Sequence, residues 1–110
     1  MDALRNLPTD SPQLLAEMLP CKKGQIISMS LFQKDNLQMT LLSFGAGESI
    51  SEELYFGDTM YYILEGRVKL CFAEQEHMLH SGQVLAVPAQ TLHALIAQES
   101  FKLLQITVHS

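Results

Sequence analysis

The stretch GESISEELYFGDTMYYILEG, Gly47 to Gly66, is rich in acids, hydroxyls and phenols able to do chemistry, Glu53, Tyr55, Thr59 and Tyr61 among them, and His93 follows downstream in PAQTLH. A divalent first-row metal takes imidazole or carboxylate donors at roughly 2.0 to 2.2 Å, usually three or more from the protein. Glu53 and His93 are two such donors. Tyr55 would have to release a proton normally held to a pH near about 10, and Thr59 is a poor ligand, so the count falls short of a tight site. His77, His80 and His109 are the remaining imidazoles. In EHMLH, strand alternation sends His77 and His80 to opposite faces, so at most one faces inward; His80 is the candidate third donor. Without a metal, a carboxylate beside an imidazole is a mutually satisfying pair, or a matched acid and base once a substrate enters.

These residues need a scaffold, and from Gln25 onward the sequence supplies strand-sized apolar segments. QIISMSLF, LQMTLLSF, SISEELY, TMYYILE, RVKLCF, EHMLH, VLAV, LHALIA and FKLLQITVH are separated by the short turn-forming breaks KDN, GAGE, FGD, EG, AEQ, SGQ, PAQT and QES. RVKLCF alternates, with Val68, Leu70 and Phe72 on a core face and Arg67, Lys69 and Cys71 on a wet one. VLAV and LLQITV are apolar on both faces, as in a strand between two layers or inside an assembled dimer. Nine short strands with regular turns suit a jelly-roll barrel, which manages its edges by rolling the sheet. The absence of Trp removes the Cys-Trp-Cys framework of an immunoglobulin-like sandwich. Residues 1–24 form an irregular arm with one expected short helix, capped by Asp10 or Ser11, with Pro12 at its first position, Leu14, Leu15 and Met18 apolar, and Pro20 ending it. Residues 25–110 form the barrel.

The spacing of the polar and turn residues resembles the cupins, small double-stranded β-helix (RmlC-like) barrels with two short motifs. The first motif is a glycine, five residues, His-x-His, three or four residues, Glu, six residues and glycine. Here Gly47, Glu53, Tyr55, Thr59 and Gly66 occupy those places, so the spacing stands while all three metal-binding letters differ. The second becomes Gly82, Pro88, Gln90, His93 and Ala97, keeping glycine, proline and histidine. The resemblance covers roughly three quarters of the chain, with the compact 15-residue gap between motifs. It implies left-handed glycines at Gly47, Gly66 and Gly82, a bend at Pro88, and a barrel mouth lined by Glu53, Tyr55, Thr59, Tyr61 and His93. Tyrosines there would offer apolar area with a hydroxyl handle to a small polar organic ligand.

With 110 residues the chain is one domain. Hydrophobic residues make up 47% and charged ones 17%, which indicates an ordered body and not a disordered tail. A net charge of −5 repels nucleic-acid phosphates and anionic membranes, so neither is an expected partner. MDALRNLPTD carries no signal-like pattern and no apolar run reaches membrane-spanning length, which points to the cytoplasm. Cys21 and Cys71, far apart, are expected as free thiols. Three functions compete: a small-molecule-binding barrel with a degenerate metal site; an oxygenase, isomerase or sugar-modifying enzyme using Glu53 and His93 with a divalent transition metal or as acid and base; and a protein that mainly assembles. A homodimer, formed partly through the N-terminal arm, is expected under each.

Overall fold

The computed structural model describes residues 3–109. Nine antiparallel strands follow the apolar segments: β1 (Ile26–Lys34), β2 (Leu37–Phe44), β3 (Ser49–Glu53), β4 (Asp58–Glu65), β5 (Arg67–Phe72), β6 (Gln75–His80), β7 (Val84–Val87), β8 (His93–Ile96) and β9 (Phe101–Val108). They form a five-stranded sheet in the order β1-β2-β9-β4-β7 and a four-stranded sheet in the order β3-β8-β5-β6. Consecutive strands repeatedly fall in opposite sheets, so the chain rolls both sheets around one interior, the jelly-roll expected from the strand pattern. No helix among the described residues is long and apolar enough to cross a membrane.

The interior is graded along the barrel axis. At the closed end Phe44 and Phe101 stack at 4.4 Å between ring centroids, with Leu42, Ile63, Val68, Leu70, Leu95 and Leu103 packed around them. Directly paired residues share a face of the sheet, so register carries the interior toward the other end. There the inner face of the five-stranded sheet turns polar: Ser30, Thr40, Gln105 and Tyr61 lie in one row, and Gln33, Gln38, Thr107 and Thr59 in the next. The expectation that LLQITV is apolar on both faces is corrected here, because Gln105 and Thr107 are its inward residues. VLAV likewise has one open face: Leu85 and Val87 turn inward, whereas Val84 is exposed.

The arm does not form the expected helix. Residues from Asp10 to Leu14 are non-helical, and a single 3₁₀ turn, Leu15–Glu17, is all that forms. Pro20 disfavours the helical region for Leu19, and what is left is too short to repay nucleation. Leu7, Leu15, Met18 and Leu19 instead join a second apolar cluster with Leu31, Met39, Leu41 and Leu104, on the outer face of the five-stranded sheet. Polar ties hold the arm there: Arg5 N–H donates to Leu31 O at 2.9 Å, Asn6 Nδ2 to Ser30 O at 2.8 Å, and Ser43 Oγ to Pro20 O at 2.7 Å.

Gly66, in the β4–β5 connection, has φ of +79°, and a Cβ there would strike the Ser100 carbonyl, so only glycine fits. Gly47 and Gly82 also take the expected left-handed conformation.

Candidate functional site

The polar end of the barrel is built from β3, β4, β8 and their connections. Strict alternation from Ile50 would turn Glu52 inward and Glu53 out. The register shifts between Ile50 and Glu53, so three steps on β3 span two on β8, and Glu53 comes to lie opposite His93. Glu52, at φ of +55°, absorbs the extra residue. This β-bulge re-aims one carboxylate into the mouth, a device that strands often use beside binding sites. Phe72 lies on the other side of His93 in the same row.

His93 is 4% exposed and both ring nitrogens are engaged. Nδ1 lies 2.9 Å from the Thr91 carbonyl, which can only accept, so Nδ1 carries the proton. Nε2 lies 2.7 Å from the Tyr61 hydroxyl. In the neutral imidazole that nitrogen is an acceptor, so Tyr61 donates to it. Tyr61 is 1% exposed; burial first, then Tyr55 and Glu53 nearby, push its phenol far above its ordinary range and keep the donor proton in place. The Tyr55 ring stands 5.8 Å from that of His93, half-buried, and Tyr55 O accepts from Gln90 N–H at 2.7 Å, which ties the β3–β4 and β7–β8 connections together.

The structure thus brings Glu53, Tyr55, Tyr61 and His93 together. Thr59 is inward and buried, its hydroxyl paired with that of Thr107 at 3.2 Å, so it is committed to the five-stranded sheet. His80 does not join them. It is exposed on the outer face of β6, opposite Arg67, while His77 takes the inward place, its ring 5.6 Å from Phe72. The proposed third donor is therefore removed by the register of β6. No group of three or more His, Cys, Asp or Glu suited to a metal occurs among the described residues. With two donors, Glu53 and a histidine whose Nε2 is already hydrogen-bonded to Tyr61, the residues present do not fit the divalent ion that the motif resemblance implies.

Sequence reasoning missed Thr40 and Gln105, half-buried polar residues in the row of Tyr61. Their signal was a period-two run of polar positions, Gln38 and Thr40 on one strand and Gln105 and Thr107 on the other, within otherwise apolar strands. A larger cleft, about 550 Å³, lies away from His93 between the edges of β6 and β7, lined by His77, Leu79, Gln83 and Leu85 among others. A smaller cavity, about 120 Å³, is lined by Phe56, Gly57, Asp58, Ala89 and Val108. The mouth differs from both cavities in holding buried, hydrogen-bonded polar side chains, Tyr61 and His93.

No curated protein matches the sequence. Among solved structures, a cupin superfamily protein from Desulfitobacterium hafniense DCB-2 is 45% identical with a TM-score of 0.94, the alignment covering 97% of this chain and 98% of that one. A conserved protein of unknown function from Streptococcus pyogenes is 27% identical, also at a TM-score of 0.94, over 100% and 96% of the two chains. A cupin 2 conserved barrel domain protein from Leptotrichia buccalis, 21% identical with a TM-score of 0.88, shares the fold over 96% of this chain and 51% of its own. The family model described as the cupin domain matches residues 41–108, from within the second strand through the ninth and including Glu53, Tyr55, Tyr61 and His93. With its left-handed glycines, its His93 and its rolled sheets in place, the chain belongs to the cupin family.

Proposed function

We propose that this protein is a small-molecule-binding cupin barrel whose mouth, at Glu53, Tyr55, Tyr61 and His93, takes a small polar organic ligand without a resident metal. One observation carries the reading: the 2.7 Å hydrogen bond from Tyr61 to His93 Nε2, with Nδ1 held by Thr91, occupies both nitrogens of the family histidine. Thr59, in the remaining ligand place, is spent on Thr107. What is left facing the mouth is a carboxylate, a half-buried tyrosine and two uncharged polar side chains, a recognition surface. The test has two parts. Untagged protein purified without chelator should contain far less than one Mn, Fe, Co, Ni, Cu or Zn per chain, and its melting temperature should not respond to chelator. A nuclear magnetic resonance screen of small polyols, amides, amines and acids should then shift the amides of Thr91, His93 and Gly57. Stoichiometric metal, or ligand shifts confined to the β6–β7 cleft, would overturn the reading.

We further propose that the protein works as a homodimer in the cytoplasm. The described part of the arm lies over the other sheet, and the outer face of the four-stranded sheet carries the cross-strand neighbours Met78, Lys69 and Ile96, two of them exposed apolar residues. Cys21 and Cys71 are free thiols, which suits a reducing compartment.

A further inference from the structure

Among the described residues, the inner face of the barrel holds no Lys or Arg side chain. The chain has seven Lys and Arg residues, and each has a place elsewhere. Arg5, Lys22 and Lys23 belong to the arm. Lys34 pairs with Leu37 and so shares the outer face with Met39 and Leu41. Arg67 pairs with Glu99, and Lys69, on the outer face of β5, with Glu76. Lys102 donates to Ala16 O in the arm and lies 3.7 Å from Glu65.

Glu53 is the counterpart of that absence. The bulge turns its half-buried carboxylate into the mouth, and no Lys, Arg or His among the described residues lies within ion-pair distance of it. A carboxylate partly withdrawn from water without a cation favours a ligand that brings one. The neighbouring groups agree in sign. The Tyr61 O–H is already donated in its hydrogen bond to His93, so its oxygen offers lone pairs only, and Tyr55 presents a half-buried ring whose face attracts positive charge. The rim repeats the pattern: the small cavity of about 120 Å³ is walled by the exposed Phe56 ring and by Asp58, whose Oδ1 accepts from Ala89 N–H at 2.8 Å. A carboxylate or phosphate ligand in the mouth would meet the Glu53 carboxylate with no cationic side chain to offset it.

We propose that the ligand of this mouth is a small organic cation, its ammonium or amidinium group held by Glu53 and the Tyr55 ring, its uncharged remainder facing Thr40 and Gln105. This rests on the reading of the mouth as a binding site. It is tested with three probes of one shape and different charge, choline, 3,3-dimethylbutan-1-ol and 3,3-dimethylbutanoate, titrated against the full-length chain at matched ionic strength with the Thr91 and His93 amides as reporters. Choline should bind about tenfold or more tightly than the alcohol, and the acid more weakly than either. Glu53→Gln should abolish the preference for choline over the alcohol. Equal or tighter binding of the alcohol or the acid, or no binding by any of the three, overturns the cation assignment. The binding-site reading falls separately, if the wider screen of neutral fragments also leaves the mouth amides unmoved.

Discussion

Replacing Tyr61 with Phe changes one atom at the centre of the mouth and separates two effects. His93 Nε2 is then buried without its donor, which costs about 1 to 3 kcal/mol, read as a lowered denaturation midpoint. The same nitrogen becomes free, so Tyr61→Phe should take up Zn²⁺ or Ni²⁺ more tightly than the parent, by isothermal titration; unchanged affinity would mean the phenol is not what withholds the imidazole. The phenol also sets an alkaline limit. Burial raises the Tyr61 pKa in the fold above its ordinary value of 10.0, so the unfolded chain sheds that proton first. Stability is therefore full below pH about 10 and declines above it, and the decline should be smaller in Tyr61→Phe when melting is followed through that range.

At the scale of elements, the bulge in β3 decides which acid faces the mouth. Deleting Glu52 should restore regular pairing, with two steps on each strand, and keep Glu53 opposite His93, so that the choline response persists while the barrel still folds; a lost response would show that the bulge itself, and not only an inward carboxylate, shapes the site. This feature shows where the sequence was legible and where it was not. LQMTLLSF, RVKLCF and VLAV match β2, β5 and β7 residue for residue, because two-residue periodicity bounded by turn residues is a local signal. The inward turn of Glu53 depends on an extra residue that alternation does not reveal. His80 was misplaced for a related reason: that one of two histidines faces inward follows from spacing, but which one depends on the pairing of β6 with β5. The Tyr61–His93 hydrogen bond joins residues 32 apart in sequence and in different sheets, beyond any local pattern. Asp10 to Pro20 carried helix-start and helix-stop residues, yet burial of Leu15, Met18 and Leu19 on the outer sheet decided the conformation.

For the whole molecule, the arm acts as the second layer over the five-stranded sheet. Leu31 is buried in that outer cluster, and Leu31→Ala should cost about 2 to 4 kcal/mol without altering ligand affinity at the mouth. Removing residues 1–20 exposes the cluster altogether, and melting temperature should fall. Light scattering on the truncated chain then distinguishes two roles. A mass unchanged from the parent means the arm covers its own barrel, and a mass halved means that it also joins two subunits.

The exit of β9 bears on how the protein is handled at the bench. A Cβ at Gly57 would collide with the Val108 carbonyl, and His109 N–H donates to Asn36 O at 2.8 Å, so the end of the last strand is pinned beside Phe56, Gly57 and Asp58 at the rim. A polyhistidine extension fused there would deliver spare imidazoles to an opening that already holds Glu53 and His93, and could assemble a nickel or zinc centre of purely experimental origin. Purification handles belong at the other terminus, or should be cleaved before metal content is measured.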